Sequence, residues 1–87
     1  MSEAKFTKAP WKIQDDGYGL IGVLFRKGYG VLVGHKDNES ISNAHLIAAA
    51  PEMYEMLIQL QIEGGLGIAR HRQIDRLLSK ARGEQNA

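Results

Sequence analysis

The chain has 87 residues, 44% of them apolar and 24% charged, a balance that fits one small folded domain and argues against intrinsic disorder. It contains no cysteine, which removes disulfide frameworks and thiolate metal sites and favours a cytoplasmic over an extracellular setting. The net charge of +1 does not by itself point to a nucleic-acid partner.

The charge is unevenly spread. Between residues 37 and 63 every charged side chain is acidic: Asp37, Glu39, Glu52, Glu55 and Glu63. Residues 68–82 carry Arg70, Arg72, Arg76, Lys80 and Arg82 against Asp75 alone, a reason to look for a basic surface. The N-terminus opens with charge and no apolar h-region follows, so no signal peptide is expected. The longest apolar run, residues 20–25, is too short to span a bilayer, so no membrane partner is expected either.

Residues 1–9 read as a flexible arm, 10–83 as one α+β domain and 84–87 as a flexible tail. Pro10-Trp11 fixes the backbone before a first strand at 11–14, with Trp11 as a core anchor. Asp15-Asp16-Gly17 is a turn signal, because Asp tolerates turn geometry and Gly supplies positive φ. A second strand is expected at 18–26 and a third at 29–35, separated by Lys27-Gly28, which is the grammar of a β-hairpin. Alternation puts Leu20, Gly22 and Leu24 on one face of the middle strand and Ile21, Val23 and Phe25 on the other. Both faces are apolar. Only one can pack on the following helices, and an apolar face left exposed marks an interface.

Ser40 or Ser42 is the expected cap of a helix running to about Ala50. Pro51 lacks an amide proton and is favoured at the first position of a helix, so it is expected to open a second helix ending near Glu63. Met53, Met56, Leu57 and Leu60 form an apolar stripe there. Gly64-Gly65-Leu66-Gly67 breaks the chain, and a third helix is expected at 68–82. Its buried stripe would be Ile74, Leu77, Leu78 and Ala81, with Arg72, Arg76 and Lys80 opposite.

No pattern identifies a reaction. His35, His45 and His71 lack the i, i+4 spacing of a zinc-binding helix, so no metal site and no cofactor are expected; His45 reads as a residue that caps or packs its helix. Ser40, Ser42 and Ser79 have no nucleophile-elbow context. Glu52 and Glu55 fall in the turn after Pro51, where acidic groups favour the positive end of a helix dipole. Gly17-x-Gly19-x-x-Gly22 has dinucleotide-fingerprint spacing, but it runs into a strand rather than from strand to helix. The Gly64–Gly67 break with Arg70, His71 and Arg72 beyond it is the better anion candidate.

The segment Asn43-Ala44-His45-Leu46-Ile47-Ala48-Ala49-Ala50-Pro51-Glu52-Met53-Tyr54-Glu55-Met56-Leu57 resembles one carried by small proteins of unknown function encoded by tailed phages and prophages. Thr7-Lys8-Ala9-Pro10-Trp11 fits the Thr-x-x-Pro-Trp element of that family, and Leu78-Ser79-Lys80-Ala81-Arg82-Gly83-Glu84 is similar to its ending. The resemblance implies a non-enzymatic accessory protein in the host cytoplasm that acts by binding: inhibiting a host enzyme or defence complex, sequestering a nucleotide, or adjusting host regulation. It carries no catalytic residues. The Gly64–Gly67 break and the arginine-rich last helix depart from the family pattern.

Together these readings predict a three-stranded antiparallel sheet followed by two or three short helices. The expected mode of action is protein–protein contact with a host protein or a second copy of the chain, as a homo-oligomer. The interface residues would be Tyr18, Leu24, Phe25 and Tyr29. The alternative is a nucleotide- or nucleic-acid-binding module using Arg70, Arg72, Arg76 and Lys80, whose phosphate contacts would weaken steeply with salt.

Overall fold

The computed structural model describes residues 5–84, so the start of the expected arm (1–4) and most of the expected tail (85–87) lie outside the described residues. Three strands, β1 (Lys12–Asp15), β2 (Leu20–Arg26) and β3 (Tyr29–His35), are followed by two helices, α1 (Asn38–Glu63) and α2 (Ile68–Ala81). The sheet is antiparallel in the order β1-β2-β3. The α+β class and the meander are therefore as the sequence predicts, and the two helices fall within the expected two or three. No helix among the described residues is long and apolar enough to cross a membrane.

The turns are made by the residues that turn chemistry demands. Asp15 Oδ1 accepts from the Gly17 amide at 2.9 Å, and Asp16 Oδ1 accepts from the amides of Tyr18 at 2.7 Å and Leu20 at 3.0 Å. These Asx contacts satisfy amides that no strand partner reaches. They also delay β2 to Leu20, two residues later than the sequence suggested. Between β2 and β3, Gly28 at φ +82° supplies the left-handed conformation that a two-residue hairpin loop requires.

The helices depart from expectation at one residue. Pro51 lies inside α1, not at the start of a new helix, and its ring is fully buried. Without its N–H the helix loses one i→i−4 bond, a local penalty that burial of the ring in a packed interior offsets. The cap also differs. Asp37 Oδ1 accepts from the Ser40 amide at 2.8 Å, so Asp37 holds the N-cap and Ser40 and Ser42 sit within the helix.

Two compact units share the chain. The first, residues 7–52, holds the sheet and the beginning of α1. Its core is Ile21, Val23 and Ala44, with Trp11, Ile13, Phe25, Val33, Ile41, Ile47 and Ala48 packed around them. The second takes the described residues 5–6 and 53–84. Its core is Tyr54, Ile74 and Leu78, flanked by Phe6, Leu57, Ile58 and Leu66. In that unit Gln61 Nε2 donates to Asp75 Oδ1 at 2.9 Å, and Phe6 meets Tyr54 edge-on at 4.9 Å between ring centres.

Candidate functional site

The sheet packs one face on α1 and leaves the other to solvent. Directly paired residues of an antiparallel sheet project to the same side, so the pairing of Leu24 with Gly30 and of Gly22 with Leu32 places leucines and glycines on the outer face. The result is an open groove of about 550 Å³ lined by Leu20, Leu24 and Leu32 over Gly22 and Gly30, with Asp16 and Lys27 among its polar residues. Leu32 is 68% exposed. The two glycines are required by close approach. A Cβ on Gly22 would lie 2.5 Å from the Val31 carbonyl oxygen, and one on Gly30 would collide with that of Val23. Irregular register between Ile21 and Gly22 and between Leu24 and Arg26 brings the strands together there.

The four residues expected at the interface do not form one patch. Leu24 lies on the outer face, half-buried. Tyr18 is 92% exposed in the β1–β2 turn. Tyr29 is exposed at the hairpin end, with the Arg26 guanidinium 4.1 Å from its ring centre, a favourable cation–π geometry. Phe25 is a correction. It belongs to the core side, the face that alternation gives it with Ile21 and Val23, and is packed against Trp11 with ring centroids 4.4 Å apart. Leu32 is the residue missed, although alternation along β3 puts it on the side of Gly30, away from Val31 and Val33, and so marks it.

The basic helix resolves differently. Arg70, Arg72, Arg76 and Lys80 are all exposed. Arg72, Arg76 and Lys80 recur every four residues and share a helix face, whereas Arg70, two residues before Arg72, points nearly the opposite way. Arg70 instead donates to Gln73 Oε1 at 3.0 Å. His71 and Arg72 line a shallow groove of about 460 Å³ with the Gly64–Gly67 loop and Asp75, and Arg70 lines a separate one with Gln73. The four cations are thus not convergent. Leu77 is a second correction: 52% exposed rather than buried, as Ala81 is also exposed, so the core stripe of α2 narrows to Ile74 and Leu78. His45 is exposed and lies well inside α1, so it does not cap the helix. Among the described residues no three of His, Asp and Glu are grouped to hold a metal ion.

Arg82 plays a part that sequence spacing gives no sign of. Its side chain is only 9% exposed, and it donates to the Tyr54 hydroxyl at 3.0 Å and pairs with Glu84 at 3.2 Å. These contacts tie the end of α2 to α1 and leave Arg82 Nε without a partner among the described residues. They hold its guanidinium even more firmly protonated than usual, chiefly through the Tyr54 hydroxyl.

A family model described as Salmonella phage P22 protein Y8K6 matches residues 1–85. No curated protein and no solved structure matches the chain.

Proposed function

The chain belongs to the family of Salmonella phage P22 protein Y8K6, and on that premise we propose that it is a phage accessory protein that binds a host protein in the host cytoplasm rather than catalysing a reaction. One observation carries this reading: the outer face of the sheet exposes Leu32 beside Leu20 and Leu24 over a floor of two glycines. Exposed apolar surface of this kind costs solubility unless something uses it. A groove with a bare backbone floor and leucine walls takes an apolar side chain, and Asp16 and Lys27 supply polar contacts that fix its orientation. A component of a host defence system is the partner that the phage setting favours. The alternative, sequestration of a nucleotide or nucleic acid by Arg70, Arg72, Arg76 and Lys80, has less support, because Arg70 points away from the face that the other three share.

The test is affinity capture from host cells with the full chain and with Leu32→Asp, followed by titration of the captured protein against both. Leu32 is exposed, so the variant is expected to fold, which circular dichroism checks. Binding weakened more than about tenfold in the variant supports the groove. Equal affinity removes the sheet face as the contact surface. Capture of nucleic acid alone, lost as salt is raised, favours the alternative.

A further inference from the structure

The second compact unit has an unusually thin core and a divided charge. Its helices fully bury only Tyr54, Ile74 and Leu78, while Met53, Met56 and Leu60 on α1 and Leu77 on α2 remain exposed, Met56 at 60% and Leu77 at 52%. Met53, Met56 and Leu60 follow i, i+3, i+7 spacing, so they make one stripe along α1. In this unit α1 carries Glu55 and Glu63 and no cation, whereas α2 carries Arg70, Arg72, Arg76 and Lys80. Asp75, the one acid on α2, is engaged by Gln61. Neither glutamate, nor Arg72, Arg76 or Lys80, has an ion-pair partner among the described residues.

We propose that this helical hairpin pairs with the hairpin of a second copy of the chain, the acidic α1 of each lying against the basic α2 of the other in a four-helix bundle. Charge decides the arrangement. Setting α1 against α1 opposes two helices whose charged residues in this unit, Glu55 and Glu63, are all acidic, and setting α2 against α2 opposes two basic stripes. Only the crossed pairing is complementary, and a two-fold axis supplies it twice, since an isologous interface repeats every contact. The crossed pairing also covers the Met53–Met56–Leu60 stripe and Leu77, turning two helices with a thin core into the four-helix architecture that builds its core from facing helices. A foreign partner would need the same divided charge in reverse, and a second copy has it by construction. The surface is distinct from the sheet groove, so either proposal can fail without the other.

Charge reversal tests the arrangement on the full chain. One variant, Arg72→Glu/Arg76→Glu/Lys80→Glu, makes both helices acidic, and a second, Glu55→Lys/Glu63→Lys, makes both basic. All the altered side chains are exposed, and circular dichroism confirms folding. Light scattering is expected to give twice the 9.6 kDa chain mass for the unaltered protein and a single chain for each variant alone. Mixing the two variants is expected to restore the doubled mass as a heterodimer. A monomeric unaltered protein overturns the proposal, as does an acidic variant that still dimerises, which would mean that α1 pairs with α1 or that another surface associates. Oligonucleotide binding by the monomeric unaltered protein would assign the cations to nucleic acid instead.

Discussion

Asp37 shows how a single exposed carboxylate positions a helix. Its Oδ1 receives the Ser40 amide, and that bond, placed at the positive end of α1, holds the carboxyl below the usual aspartate range. A folded pKa below the unfolded one contributes stability that is present at neutral pH and lost as pH falls through the folded value. Asp37→Ala is therefore expected to lower the Tm at pH 7. The gap between variant and parent should begin to narrow below about pH 4, where the unfolded chain takes up the proton, and close only as pH falls through the lower folded value. Thermal melts of both proteins across pH 3–7 check the sign, and a constant gap would contradict it. Asp15 and Lys36 also pair, the Lys36 ammonium lowering Asp15 and Asp15 raising Lys36. Both side chains are substantially solvated, at 40% and 49% exposure, and solvated pairs contribute little. Lys36→Met should leave the Tm nearly unchanged. Geometry alone does not rank these two aspartates: both make short polar contacts, but only Asp37 satisfies an amide that the helix leaves open.

At the scale of elements, the sheet was readable because its signals are local. Asp15-Asp16-Gly17 and Lys27-Gly28 mark the turns, and alternation separates Ile21 and Val23 from Leu20 and Leu24, so the candidate groove was half visible before any coordinates. Alternation groups Phe25 with Ile21 and Val23, but which of the two apolar faces is covered is a tertiary fact, and the packing of Trp11 and α1 on that face makes Phe25 core rather than interface. The helix was misread for a different reason. Pro51 disfavours a helix interior by its own chemistry, yet burial of its ring is a tertiary effect that no local rule contains. The apolar stripe of α1 is legible but its exposure is not, because apolar residues on both sides of a helix give a pattern that spacing alone cannot divide into packed and free faces. The need for the groove glycines is tertiary as well, because it arises from the approach of a neighbouring strand. Gly30→Ala places a methyl group against the Val23 carbonyl, where backbone and not a flexible side chain must move. It is expected to cost about 1–3 kcal/mol, measured by denaturant titration. A neutral result would show that β3 shifts freely on β2 and that the groove has no fixed floor.

For the whole molecule, the question is whether two thin cores behave as one. Val23, 1% exposed, anchors the core of the sheet unit, and Leu78, also 1% exposed, anchors that of the helical unit. Truncating Leu78 to Ala should cost about 2–5 kcal/mol through lost burial and the cavity left behind, and Val23→Ala a smaller amount, because fewer atoms are removed. Native domains have only about 5–15 kcal/mol in hand, so either change takes a large share of the stability of a chain this short. The two cores have an uninterrupted helix in common, since α1 supplies Ala44 to one and Tyr54 to the other. Melting either core removes the packing that holds its half of α1. A short helix without tertiary packing is marginal in water, so fraying should pass through Pro51 into the other half. Both variants should therefore unfold in one transition, with tryptophan fluorescence, which reports Trp11 in the sheet unit, superimposing on helical circular dichroism. If Leu78→Ala instead separates the two signals, with helix content falling first, the units are energetically independent. The joint at Pro51 would then isolate the sheet and its groove from events in the helical hairpin.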